Sequence, residues 1–326
     1  MPTLRNSFTE GLKADMYAYG FEAYDSMLTV YDKIFEVEGS DKAYTQSTQV
    51  INAGDLIEKP EQEKIVFENA MEGYTVYGKN RTFAKGIEFS FEAVEDMEPG
   101  KIANLVKDYA RTWGASAQVN KESFAAKFFL YGGYTAGHEV FNNSITGVVT
   151  DPTGDLCYDG LPFFNLSNNL RPLYPGATAA YYNSLAIDLS DVNLKTAYLR
   201  MTSTNNIDSR GRKIALKPDT LLVPSDLKFT AMNILSASNV LGTANNDVNT
   251  AQNLVSNLIE WQYLTDTNAW FLLKAKFGLK FHNRMPLTFD FYQDEDTKAY
   301  KATCMARWGA HVYDWRGVVA SQVSTS

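Results

Sequence analysis

Histidine and cysteine are scarce in this 326-residue chain: three of the first and two of the second. Cys157 and Cys304 lie far apart, with no cysteine or histidine at ligand spacing, which excludes a disulfide framework and a cysteine-based zinc site. Both read as core thiols, because free cysteine packs as a small hydrophobe. His138 precedes Glu139, but no second histidine follows at i+4, so the zinc-protease helix motif is missing. His282 and His311 stand alone in apolar or strand-like contexts and read as structural. The stretch "DPTGDLCYDG" spaces Asp151, Asp155 and Asp159 four apart, whereas a calcium loop needs ligands at alternate positions. The phosphate-loop pattern, the dinucleotide fingerprint and the G-x-S-x-G nucleophile turn are all lacking. No catalytic residue, metal or cofactor is therefore assigned.

Charge and hydropathy exclude further classes. A basic excess is missing, with 30 Lys and Arg against 38 Asp and Glu and a net charge of −8, so tight gripping of a phosphate backbone is disfavoured. The densest basic run, "SRGRK" from Ser209 to Lys213, reads as a solvated turn. No apolar run approaches the ~20 residues that span a bilayer. The N-terminal stretch has neither the basic start nor the apolar centre of a signal peptide. A soluble chain, made and kept in the cytoplasm and with no membrane partner, is expected.

What is present is a large apolar fraction, 45% of residues, enough for one or two cores. Phe8, Leu12 and Met16 recur at helical spacing and predict a short helix over Phe8–Tyr17. A long region follows that is rich in β-branched and aromatic residues, with period-two alternation at Ile87, Phe89 and Phe91. It reads as a long hairpin whose charges (Glu63, Lys64, Glu68, Glu72, Lys79, Arg81, Lys85) run along both arms. A buried hairpin would not tolerate them, and a projecting one needs a partner to lie on. Pro99 then opens a helix with a stripe at Ile102, Leu105, Val106, Tyr109 and Trp113. Run to Phe129 it covers about 31 residues, or roughly 46 Å at 1.5 Å per residue, with Gly114 as a possible bend. The "SITGVVTDPTGDLCYDG" segment reads as short strands broken by Pro152 and Gly154. Ser190 caps a helix to Met201 with Val192, Tyr198, Leu199 and Met201 among its apolar positions. Thr220–Val223 is a buried strand, and Pro224 joins it to a helix facing Leu227, Ala231, Ile234 and Leu235 inward. Two strands around an acidic turn at Asp294–Asp296 close the chain. The fold class is α+β.

The order "YGKNRTFAKGIEFSFEAVEDMEPG", a long helix, "YDGLPFFNLSNN", "SRGRKIALKPDTLLVPSDLKFTAMNILSA", "LTDTNAWFLL" and "ATCMARWGAHVYDWRGVVAS" resembles the major capsid proteins of tailed bacteriophages, the Mu-like head subunits in particular. The resemblance spans roughly Tyr44 to Ser321. It departs where relatives place a histidine shortly after the "DG..FF" strand, since Asn168 and Asn169 stand there. It implies the fold shared with encapsulins: an N-terminal arm (1–43), an extended β-hairpin loop (44–91), a peripheral domain with a long spine helix (92–133), an axial domain (134–281) and returning peripheral strands (282–326).

The implied function is structural: pentamers and hexamers building an icosahedral or prolate head around double-stranded DNA. The implied partners are further copies of the chain, portal and scaffold proteins, and decoration proteins. The scaffold is either a separate protein or a removed segment. The acidic balance would let packaged DNA slide instead of adhering. Aromatics are enriched at interfaces, so the intersubunit contact candidates are Phe67, Tyr74, Tyr77, Arg81 and Phe83 on the hairpin, and Phe163, Phe164, Tyr181 and Tyr182 in the aromatic, asparagine-rich stretch 159–201. The rival readings are an encapsulin-like compartment shell, an α+β enzyme with an unrecognised site and, behind these, a tail-tube or sheath subunit that would form open filaments.

Overall fold

A computed structural model describes residues 5–325 apart from 52–55, 57, 66, 68, 70, 97–100, 136–137, 142–156, 158 and 240–247. In chain order the elements are α1 (Arg5–Asp25), α2 (Tyr31–Ile34), β1 (Glu36–Gly39), β2 (Tyr44–Ile51), β3 (Met71–Lys79), β4 (Arg81–Phe89), α3 (Phe91–Asp96) and α4 (Lys101–Leu130). Then come β5 (Ser184–Leu185), α5 (Asp191–Leu199), β6 (Thr220–Val223), α6 (Lys228–Ser236), β7 (Asn257–Glu260), β8 (Trp270–Leu273), β9 (Leu279–Gln293), β10 (Tyr300–Val312) and β11 (Val318–Ser321). The mixture is α+β, as the sequence predicts.

α4 is the strut of the molecule. Its stripe buries Ile102, Val106, Ala110 and Trp113, while Leu105 and Tyr109 pack at the margin. Its C-terminal half changes character, with Phe124, Phe128 and Phe129 entering an aromatic cluster with Phe35, Phe281, Phe164 and Phe271. α1 is twice the length the sequence predicts and lies along α4, burying Leu12 and Met16; the Phe8 side chain is outside the described residues. Gly114 is what lets the two helices approach, since a Cβ there would collide with the Gly20 carbonyl oxygen. Its role is close packing. Gly114→Val should therefore lower stability by about 1–3 kcal/mol through overpacking. Hydrogen exchange should show the protection of residues 10–25 lost first.

Two sheets hang on this strut. One has the order β1-β9-β10-β4, with β1 parallel to β9 and the other pairs antiparallel. The second has the mixed order β5-β11-β8-β6-β7. Its central strands β6, β8 and β11 are buried at every residue, the continuous apolar run expected of a sheet covered on both faces. Alternation sorts their side chains: Leu222, Phe271, Leu273, Val318 and Ala320 join the main core, whereas Leu221, Val223, Trp270, Leu272 and Val319 join a second core under α5 and α6. Ser190 caps α5 by accepting from Asn193 N at 3.2 Å. The buried face of that helix is Leu194 and Ala197, with Met201 in the π-turn beyond it; Val192 and Leu199 point outward. α6 buries Ala231 and Leu235, with Leu227 and Ile234 packed against them.

The long hairpin is divided in a way the sequence does not reveal. β2 pairs with β3, forming a two-stranded arm, but β4 leaves it after Asn80 and pairs with β10 along its whole length. Two strands separated by one residue look like a hairpin in sequence, yet here they belong to different sheets. The turns predicted around Pro152 and Gly154 lie outside the described residues.

Candidate assembly surfaces

The arm presents apolar side chains that its own subunit does not cover. Leu56 and Phe67 are essentially fully exposed, and Val50, Ile65 and Met71 are largely so, all on or beyond the outer ends of β2 and β3. Only Phe67 of this group was predicted; the signal for the others was isolated apolar residues within a charged stretch. Nearer the root, Tyr74 and Tyr77 are half-buried, and Tyr77 meets Tyr44 edge-on at 5.8 Å between ring centres.

The root is fixed by polar contacts. Asn80 Nδ2 donates to Ser40 Oγ at 3.0 Å and to Lys42 O at 2.9 Å; farther out on β2, Gln49 Nε2 donates to Leu173 O at 3.1 Å. Ser47 Oγ lies 3.2 Å from His311 Nε2, and His311 Nδ1 lies 2.8 Å from His282 Nε2. His282 and His311, read as solitary in the sequence, are thus hydrogen-bonded to each other inside the protein. Burial holds both imidazoles below their ordinary range, His311 down to about 3.

Several predicted contact residues serve the subunit itself. Phe163 and Phe164, each 1% exposed, pack in the main core with ring centres 4.2 Å apart, and this removes them from any contact surface. Phe83 stacks on Trp308 at 4.6 Å. Arg81 donates to the carbonyl oxygens of Glu139 and Val140 and covers the Phe124 ring. Tyr181 packs near Trp315, and Tyr182 lies under the Arg200 guanidinium with its hydroxyl hydrogen-bonded to it. Both tyrosines keep partial exposure.

The 159–201 stretch is held by two buried polar nodes. Asp159 and Arg171 form an ion pair, Oδ2 to Nε at 3.4 Å, with both side chains wholly buried. Burial raises the Asp159 carboxyl, opposed by the Arg171 charge. The guanidinium also donates to Pro162 O and lies 5.2 Å from the centre of the Trp315 ring. Asn183 Nδ2 reaches the carbonyl oxygens of Phe163, Trp315 and Val318 at 3.0, 3.4 and 3.3 Å, and its Oδ1 accepts from Asn165 N at 3.1 Å. These asparagines replace the ladder bonds that an irregular chain lacks. Asp151 and Asp155 lie outside the described residues. Among the described residues no cluster of three or more His, Cys, Asp or Glu is placed to hold a metal ion, and no helix is long and apolar enough to cross a membrane. Cys157 and Cys304 are buried and form no disulfide with each other.

A second outward apolar set lies on the five-stranded sheet's helices: Val192 and Leu199 on α5, Phe229 and Met232 on α6. A two-stranded arm, a strut helix and two sheets hung on it are the parts of the phage-capsid fold. The whole-chain comparisons agree. A structure from Mycobacterium phage Patience superposes with a TM-score of 0.52 at 11% identity, covering 99% of this chain and 89% of the other. The capsid structure of cyanophage P-SCSP1u gives 0.51 at 9% identity, covering 92% and 89%. A structure from Mycobacterium phage Che8 gives 0.50 at 12% identity, covering 92% and 93%. No curated protein sequence matches. The chain belongs to the phage capsid protein family, whose model matches residues 73–321. It is a structural protein of the virion shell, not an enzyme.

Proposed function

We propose that this chain is the principal head subunit of a tailed phage, assembling into pentamers and hexamers of a closed icosahedral or prolate shell around double-stranded DNA. The observation that carries the reading is the uncovered apolar end of the β2–β3 arm on a chain of the capsid family. An arm of two strands is marginal by itself in water, and burying Leu56, Ile65 and Phe67 on a neighbouring subunit would stabilise it there. In this reading residues 1–43 are the N-terminal arm, 44–91 the extended loop, 92–133 the spine and peripheral domain, 134–281 the axial domain and 282–326 the returning strands. Val192, Leu199, Phe229 and Met232 face the capsomer centre. Tyr74, Tyr77, Tyr181 and Tyr182 supply contacts at the arm root and rim. Portal, scaffold and decoration proteins complete the assembly, and within the family the chain would group with the Mu-like head subunits.

The test is electron microscopy with light scattering, on subunits expressed with their neighbouring genes. Wild-type subunits should give closed shells or rings of five and six. The double variant Ile65→Ser/Phe67→Ser should keep its thermal midpoint within about 1 °C, since exposed sites seldom change stability. Its yield of closed shells should fall at least tenfold. A discrete monomer or dimer from the wild type under every condition would overturn the reading. Shells filled with protein cargo instead of nucleic acid would favour the compartment alternative.

A further inference from the structure

We propose that Ser47, His311 and His282 form an acid-released latch that fixes the root of the β2–β3 arm to the β9–β10 sheet. Three strands from two sheets converge on one imidazole. β2 supplies Ser47 Oγ to His311 Nε2 at 3.2 Å, and β9 supplies His282 Nε2 to His311 Nδ1 at 2.8 Å. β3 supplies Gly78, where a Cβ would collide with the His311 ring, so the arm rests directly on the imidazole. Both histidines have 0% exposure. His311 is therefore covered by the arm itself.

The proton count explains why such a contact responds to acid. Two neutral imidazoles carry two N–H protons on four ring nitrogens, and one of the two lies between the rings. A third proton places a charge in a space that water does not reach. A fourth sets N–H against N–H across the 2.8 Å contact. The charged groups facing the pair are few. Glu38 on β1 has Oε2 3.9 Å from His282 Nδ1, but it is already paired with Lys280 of β9 at 2.8 Å, and the Lys280 charge itself opposes protonation of both rings. From β2 and β3, Ser47 and Gly78 meet the ring, with Lys79 next to Gly78 on β3, and the residues flanking His311 on β10 are Ala310 and Val312.

The linkage has a definite sign. With the arm down, His311 stays neutral to about pH 3; with the arm lifted, the ring meets water and returns towards its ordinary value of about 6.5. The lifted state then binds more protons, so closure is fully stable above about pH 6.5 and weakens as pH falls below it. Between pH 7.5 and pH 5 the lifted population should rise about 30-fold, one factor of ten for each unit below 6.5. The asparagine and glutamine contacts of Asn80 and Gln49 do not titrate, so the arm loosens at this footing without leaving the body.

The experiment is hydrogen exchange of the full-length, unassembled subunit from pH 7.5 to pH 5, corrected for intrinsic exchange rates. It compares residues 44–51 and 71–79 with 220–223 and 270–273. Arm amides should lose protection about 30-fold while the control strands hold. His311→Gln keeps a hydrogen-bonding side chain without a titrating ring and should flatten the response. His138→Gln, at the remaining histidine, should leave it intact. Equal loss in arm and control strands, no loss in either, or an undiminished response in His311→Gln would overturn the latch; if His311→Gln fails to fold, the wild-type comparison of arm and control strands decides. The measurement uses lone subunits, so its outcome is separate from that of the shell reading.

Discussion

Glu122→Ala should be the most damaging single truncation in the helical half of the molecule, lowering unfolding free energy by about 3 kcal/mol. The carboxylate of Glu122 on α4 accepts from Val30 N at 2.6 Å and Tyr31 N at 3.3 Å with one oxygen, and from Trp261 Nε1 at 2.7 Å with the other. It thus caps the N-terminus of α2 from another helix and ties the 261 region to the same point. Burial raises the pKa of this carboxyl, the three donors pulling it back down. Alanine would leave all three donors in a dry site with nothing to accept their hydrogens, and an orphaned buried donor costs more than the bond contributed. For 326 residues at ~2.1 cal/mol/K each, the loss corresponds to a fall of roughly 4 °C in melting midpoint. Glu122→Gln keeps the shape and one carbonyl oxygen, so it should cost about half as much. Differential scanning calorimetry of the unassembled subunit checks both, and equal melting of Ala and wild-type forms would show the three donors satisfied elsewhere.

Arg171→Met should destabilise by about 3–5 kcal/mol, the usual cost of removing one member of a buried pair. The guanidinium is the counter-charge to Asp159, a donor to Pro162 O and a cover for the Trp315 ring. Without it Asp159 faces an apolar pocket, and its folded-state pKa climbs further above the unfolded value. The folded form then binds the extra proton, so stability rises as pH falls through that window; the variant's deficit should shrink between pH 7 and pH 5. The double variant Arg171→Met/Asp159→Leu removes both charges and should recover most of the loss, because apolar replacement of a buried pair is often neutral or better. Denaturant titrations at the two pH values separate these outcomes. A deficit unchanged by pH would mean that Asp159 finds another partner or solvent.

The parts that sequence made legible are those written in short-range periodicity. The α4 stripe, the Ser190 cap and the four-residue strand before Pro224 each depend on residues within one or two turns of each other, and each is where its spacing places it. The arm boundary was hidden for the opposite reason. Whether β4 pairs with β3 or with β10 depends on a partner more than two hundred residues away. The histidine pair is of the same kind: His282 and His311 meet only because β9 and β10 align past an irregular stretch near Met305 and Arg307. Phe163 and Phe164 stand among prolines, glycines and asparagines, so the sequence leaves intersubunit contact and ordinary core packing both open. The structure buries them, since Asn183 and Arg171 satisfy the irregular backbone that would otherwise have to stay wet.

The strand orders also set a timetable for synthesis. β9 and β10 are the two inner strands of one sheet, while β8 and β11 are inner strands of the other, and all four lie beyond residue 269. While the ribosome is still adding those residues, β1, β4 and β5 lack every sheet neighbour, and β6 and β7 have only each other. Neither sheet closes until translation has passed them, at about 5–20 residues per second. An unfinished chain therefore has no rigid body to offer a growing shell, and incorporation is confined to subunits whose last strands are in place.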